Sequence, residues 1–119
     1  MRSLTTLTVA TSLLACATAH ATPVLSACVT VTGVVNAEYG NAVIVLFSPT
    51  IAGCTYNDST GGVVWAAGTN GVTSTSLGSY LATGLTALSL GRQVQVLYDN
   101  STSSCFGYQM AIGGDNGQC

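Results

Sequence analysis

The sequence predicts a small, mainly β domain with two disulfides, five strands and one helix lying between the third and fourth strands. Three observations predict it. Short β-branched runs, bounded by Gly- and Asn-rich turns, lie on both sides of a single stretch with helical spacing. Four cysteines remain once an N-terminal export segment is set aside. Charge is scarce: the chain has two basic and four acidic residues, so Ser, Thr, Asn, Gln and Gly must meet the water.

The export segment comes first. Arg2 supplies one positive charge, and Leu4 to Ala17 form an apolar stretch diluted by Thr and Ser. Ala19-His20-Ala21 then places small residues at the two positions a signal peptidase reads. Residues 1–21 are therefore expected to be a signal peptide, and 22–119 a single domain of a secreted or periplasmic protein. A competing cut lies at Leu13-Leu14-Ala15-Cys16, which resembles a bacterial lipobox and would leave a lipoprotein anchored at Cys16. The apolar stretch is shorter than the roughly 20 residues of a membrane-spanning helix. No other segment is apolar enough, so the mature chain is expected to carry no transmembrane segment.

Residues 22–27 read as a lead-in. Cys28 to Val35 alternates Val with Thr, the pattern of a first strand, and Asn36 to Asn41 turns. Ala42 to Phe47 is continuously apolar and short, which suits a strand buried on both faces; Pro49 stops it. Residues 50–62 form a loop carrying Gly53, Cys54, Asn57, Asp58, Gly61 and Gly62, and Val63 to Ala66 is a brief third strand. Leu77, Tyr80, Leu81, Gly84, Leu85 and Leu88 then fall at three- and four-residue spacings. Cap candidates occupy Thr73 to Ser76, and Gly91 stands where a left-handed C-terminal cap belongs. Gly78 and Gly84 each cost about 1 kcal/mol in a helix interior, so this helix depends on packing. Arg92 to Tyr98 alternates again, with Val94, Val96 and Tyr98 on one face and Gln93, Gln95 and Leu97 on the other. After the loop Asp99 to Ser104, the residues Phe106, Tyr108, Met110 and Ile112 alternate on a last strand. Residues 113–119 form a tail pinned by Cys119.

Three strands, a helix and two strands is the element order of an OB-like fold, a five-stranded Greek-key barrel with the helix at one end. A sandwich has no reason to place a helix there, and a βαβ fold would need more of them. Cys16 leaves with the export segment. Cys28, Cys54, Cys105 and Cys119 remain, which in a small exported domain read as two disulfides with three pairings open. In the OB-like topology the loops after strands two and four share one end. Cys54 and Cys105 then pair, leaving Cys28 for Cys119. No C-x-x-C pair and no His in the mature chain argue against zinc.

Composition narrows function by exclusion. The mature chain keeps one base, Arg92, against Glu38, Asp58, Asp99 and Asp115. Nucleic-acid affinity comes mostly from neutralising phosphates, and a polybasic membrane patch needs clustered Lys and Arg; neither is provided for. With no His, no Lys and paired thiols, nucleophile–base pairs are lacking, so no enzyme and no cofactor is expected. Glu38 with Asp99 is the remaining acid–base pair, and nothing in the spacing brings the two together. Asp115-Asn116-Gly117 and Asn57-Asp58-Ser59 offer too few oxygens for calcium and read as turns. Asn57 and Asn100 begin N-x-Ser/Thr sequons. Trp65, Phe106 and Tyr108 are assigned to the core. Tyr39 and Tyr56, set among polar loop residues, are the expected ligand contacts.

Val64-Trp65-Ala66, then Leu77 to Leu90, then Gly91-Arg92-Gln93-Val94-Gln95-Val96 resembles the B subunits of subtilase-type and pertussis-like toxins. Those subunits have a cysteine, a nearby Trp, a helix with apolar spacing and a Gly-x-x-Val strand entry, though their cysteines are placed differently. The same plan is similar to that of many small exported bacterial proteins. The resemblance covers about residues 54–98. It implies an OB-fold, assembly into homo-oligomeric rings and binding of cell-surface glycans, and it carries over no sugar-contacting residue. The leading expectation is a non-catalytic exported binding domain with a glycan or protein partner. The alternative is a structural or envelope-associated protein that self-assembles.

Overall fold

The computed structural model describes residues 22–37, 41–54, 61–102 and 104–119. Its elements are β1 (Val24–Leu25), β2 (Val29–Ala37), β3 (Ala42–Ser48), β4 (Val63–Ala66), α1 (Leu77–Leu90), β5 (Gln93–Asp99) and β6 (Cys105–Ile112), followed by a 3-10 turn at Asp115–Gly117. Among the described residues the domain is mainly β, with one α-helix and two disulfides, and it differs from expectation in its strand count. Six strands form rather than five, so the helix falls between the fourth and fifth. The added strand is β1, inside the segment read as a lead-in. Two residues cannot display a period; Val24 and Leu25 become a strand only by pairing with Tyr98 and Leu97 of β5.

The pairings close on themselves. β2 pairs antiparallel with β3, β3 with β4, β5 with β6 and β2 with β5, while β4 and β6 run parallel through Val63↔Cys105 and Val64↔Phe106. β2 and β1 share one edge of β5: β2 takes Gln93 and Val94, and β1 takes Leu97 and Tyr98. Inside lie Val29, Val31, Val43, Val45, Phe47, Val63, Val94, Val96, Tyr98 and Met110, closed over by Leu77 and Ala87 of α1. β3 buries both faces, as its unbroken apolar run requires. Val43, Val45 and Phe47 point inward, while Ala42 and Ile44 join Val64 in a separate outer cluster.

Trp65 is the largest fully buried side chain. Its indole stacks on Tyr80, with centroids 5.5 Å apart and planes 23° apart. The Tyr80 hydroxyl donates to the Tyr108 carbonyl at 2.9 Å. Across the sheet the indole lies against Gly107, where a Cβ would come 2.2 Å from Cε2; no larger residue fits. The indole Nε1 is buried and has no hydrogen-bond partner among the described residues.

The helix begins through a reciprocal cap one turn ahead of Leu77. Ser76 N–H donates to Thr73 Oγ1 at 3.1 Å, and Thr73 N–H donates to Ser76 Oγ at 2.9 Å, in the manner of a capping box. Gly91 ends it with φ 62°, the left-handed conformation that glycine adopts without a Cβ penalty. Gly84 brings the helix onto the sheet: a Cβ there would sit 3.1 Å from Val34 Cγ2.

Cys28 bonds to Cys119 and Cys54 to Cys105, across 91 and 51 residues of sequence. In the chain-entropy account such loops stabilise the fold by about 4–5 kcal/mol each, a large share for a domain of this size. Such bonds persist in oxidising, extracytoplasmic surroundings. No helix among the described residues is long and apolar enough to cross a membrane.

Candidate functional site

A bulge in β6 decides which side chains face outward on this strand. Leu97 pairs with Gln109 but Tyr98 pairs with Gly107, so Tyr108 is the extra residue. One extra residue exchanges the two faces of a strand. Before it, Cys105 and Gly107 point inward and Phe106 joins the outer cluster with Ile44 and Val64; after it, Met110 points inward. The expected single core face of Phe106, Tyr108, Met110 and Ile112 is therefore split, and Phe106 lies outside the main core. The consequence for the surface is direct: Gln109 and Ala111 face outward.

There they meet the outward residues of β5. Across the sheet Leu25, Leu97 and Gln109 form one row, and Gln95 and Ala111 the next. Asp115, in the turn that follows β6, closes one side. These six residues line a cleft of about 120 Å³. Sites that engulf a whole small molecule occupy roughly 300–1,000 Å³, so this cleft seats one ring or one terminal group. Its floor is apolar, with Leu25 49% exposed; its walls carry two carboxamides and a carboxylate.

Gln95 holds the construction together. Although polar and set on the outer face, it is only 7% exposed. Its Nε2 donates to the Ser26 carbonyl at 3.3 Å, and its Oε1 accepts from the Asp115 N–H at 2.8 Å. It thereby joins the N-terminal segment to the C-terminal tail. Ser26 is itself fixed to β5: its N–H donates to the Val96 carbonyl at 2.8 Å, and its Oγ accepts from the Val96 N–H at 2.9 Å. Cys28–Cys119 links the same two segments covalently.

The tail has little else to hold it. Residues 113–118 are Gly-Gly-Asp-Asn-Gly-Gln, with no large apolar side chain to bury. The amides of Gly113, Gly114, Asp115, Gly117 and Cys119 each donate one hydrogen bond. Such bonds contribute about 0.5–1.5 kcal/mol net, whereas ordering each backbone residue costs about 1–2 kcal/mol. Hydrogen bonds alone fall short of fixing seven residues, so the disulfide decides whether Asp115 stays at the cleft.

Tyr39 and Tyr56, the ligand contacts expected from sequence, lie outside the described residues, as do Glu38 and Asp58. Of the aromatics assigned to the core, Trp65 is buried, whereas Phe106 and Tyr108 are only half-buried. Sequence reasoning missed the cleft residues. Alternation puts Gln95 on the face shared with Gln93 and Leu97, and composition puts Asp115 in a turn; the one sequence signal is the pair of glutamines among the apolar residues of β5. Two wider depressions are lined by no charged side chain. One, about 330 Å³ beside the start of α1, includes Asn36, Asn41 and Ser74, with Asn41 Nδ2 donating to Ser74 Oγ at 3.0 Å. The other, about 240 Å³, is walled mainly by Val29, Pro49, Ile51 and Tyr98. Among the described residues no group of three or more Asp, Glu, His or Cys side chains is placed to hold a metal ion. No protein-family model, curated protein or solved structure matches the chain.

Proposed function

We propose that this protein is an exported, non-catalytic binding domain that seats the terminal sugar of a glycan in the β1–β5–β6 cleft. The observation that carries the reading is the placement of Gln109 and Asp115, the latter braced by the buried Gln95, beside a floor of Leu25, Leu97 and Ala111. A sugar hydroxyl both donates and accepts; the exposed Gln109 carboxamide offers both functions side by side, and the Asp115 carboxylate accepts two donors. The apolar floor suits the C–H face of a ring. A glycosidase would need two opposed carboxyl groups, and this lining contains one. The likeness of residues 54–98 to toxin B subunits favours the same ligand class.

On this reading the circuit β2–β3–β4–β6–β5 is an OB-like Greek-key barrel, β1 is an addition to its edge, and α1 covers one end. The parallel contact between β4 and β6 supports that topology. Residues 1–21 act as a signal peptide, and the destination is the periplasm or the medium, with anchoring at Cys16 as the alternative; the two disulfides support export. A glycan array probed with the oxidised protein tests the ligand. Binding should appear on the wild type and be lost with Gln109→Ala and with Asp115→Ala, and a blank array at the highest usable concentration overturns the proposal.

One further observation favours self-assembly as a second reading. Helix α1 has no charged residue, and it exposes Leu85, Leu88 and Leu90 by 46%, 39% and 66%. An uncharged face of this kind suits a second copy of the chain. Light scattering that finds a monodisperse monomer at every concentration removes it.

A further inference from the structure

We propose that Cys28–Cys119 is a redox-operated clasp on the cleft: a dithiol reductant opens it before Cys54–Cys105, releasing the tail and the Asp115 wall while the strand circuit stays closed. The effect on a ligand rests on the binding role proposed above; the clasp itself does not.

The two bridges differ in access. Cys54 and Cys105 are both buried within the main core, whereas Cys28 and Cys119 are each only half-buried. Thiol–disulfide exchange needs a thiolate to reach a sulfur, so access orders the two reactions. A thiolate of the dithiol attacks Cys119 Sγ. The S–S bond breaks, and its electron pair leaves on Cys28 Sγ, which takes up a proton. The second thiolate of the reductant then attacks its own sulfur in the mixed disulfide and expels Cys119 Sγ, which is also protonated. The dithiol ends as a cyclic disulfide and the protein as two thiols.

What this releases follows from the site. Cys119 N–H donates to the Gly113 carbonyl at 2.7 Å, and the Asp115 N–H to Gln95 Oε1 at 2.8 Å. Four tail residues, Gly113, Gly114, Asn116 and Gly117, hold positive φ. Once the covalent link is gone, nothing apolar retains the tail. Cys54–Cys105 meanwhile ties the loop after β3 to the first residue of β6, so the circuit itself remains bridged. Coupling of this kind is reciprocal: a ligand that needs the Asp115 wall slows opening of the clasp, and opening weakens the ligand.

The test is limited reduction of the oxidised mature protein with dithiothreitol, followed by alkylation, mass mapping and amide hydrogen exchange. Cys28 and Cys119 should alkylate at least about tenfold faster than Cys54 and Cys105. In that singly reduced form the amides of Asp115 and Cys119 should lose protection while those of β3 and β4 keep it. Equal rates, the reverse order, or retained protection at Asp115 and Cys119 overturn the clasp. The Cys28→Ser, Cys119→Ser double variant should reproduce the exchange pattern of the singly reduced form, and a pattern equal to that of the oxidised wild type also overturns it. Selective opening with a blank glycan array leaves the clasp standing and removes the glycan. A glycan that binds the oxidised and singly reduced forms equally leaves binding standing and removes the control.

Discussion

Replacing Gly107 with alanine puts a methyl carbon inside the space of the Trp65 indole. The added Cβ would lie 2.2 Å from Cε2, 2.5 Å from Nε1 and 2.6 Å from Cζ2, against an optimal separation of about 3.5–4.0 Å between carbons. The ring cannot easily retreat. One face is stacked on Tyr80, and Tyr80 is tied to the backbone of the Gly107 strand through Tyr108. Overpacking a well-filled core costs typically about 1–3 kcal/mol. With three ring atoms in collision, the loss should reach the top of that range, about 3 kcal/mol, lowering Tm by roughly 12–24 °C in a domain of this size. The sole Trp of the chain reports its own surroundings, so urea unfolding of the oxidised protein by fluorescence measures the change directly. The midpoint should fall with little change in slope. Adding Trp65→Phe, followed by circular dichroism, removes the colliding pyrrole edge and the unpaired Nε1 together; it should restore at least about 1 kcal/mol as a coupling energy. Gly107→Ala within about 0.5 kcal/mol of wild type, the ordinary range of neutral surface changes, would refute the packing described.

Other perturbations test separate parts. A Cβ at Gly78 meets nothing within 4 Å, while one at Gly84 meets Val34 at 3.1 Å and Val45 at 3.4 Å. Gly78→Ala should therefore gain about 0.5–1 kcal/mol of helix stability in thermal unfolding, and Gly84→Ala should lose most or all of that gain. Gln95→Leu removes the acceptor of Asp115 and the donor to Ser26; chemical denaturation should show a loss of about 1–3 kcal/mol, with faster amide exchange at Asp115. Cys54→Ser with Cys105→Ser should cost about 2–5 kcal/mol in the same assay, more than Cys28→Ser with Cys119→Ser, because it also places hydroxyls in the core.

Much of the scaffold was legible because it rests on local period. Val43 to Phe47 and the Val94, Val96, Tyr98 face carry their burial in their spacing, and Gly91 marks the helix end by its lack of a Cβ. In α1 the expected stripe holds for Leu77, Tyr80, Leu81 and Gly84 but fails at Leu85 and Leu88, which are exposed while Ala87 is buried. The reason is that the helix meets the sheet only through its N-terminal half and the small residues Gly84 and Ala87. What escaped is non-local. Val24 and Leu25 are a strand only because β5 leaves an edge free where β2 departs. The bulge at Tyr108 leaves no mark in the alternation of Phe106, Tyr108, Met110 and Ile112, yet it expels Phe106 from the main core and turns Gln109 outward. The candidate cleft depends on both events and on a tail brought back by Cys119. Its residues are therefore scattered over Leu25, Gln95, Gln109 and Asp115, with no motif to announce them. The helix start shows the same limit in miniature: Thr73 to Ser76 was the right region, but the cap is a reciprocal pair rather than one residue.

Two covalent bridges cross the chain, and digestion of the oxidised protein without reduction tests their pairing most directly. Arg92 is the only Lys or Arg after residue 21, and it is exposed. Trypsin should therefore cut there, and the two halves should stay joined until a reductant parts them, since both bridges span that position. Further cleavage with pepsin should return one peptide pair containing Cys28 and Cys119 and another containing Cys54 and Cys105. Halves that separate without reduction, free thiols, or a Cys28–Cys105 peptide would contradict the fold, the clasp and the cleft together.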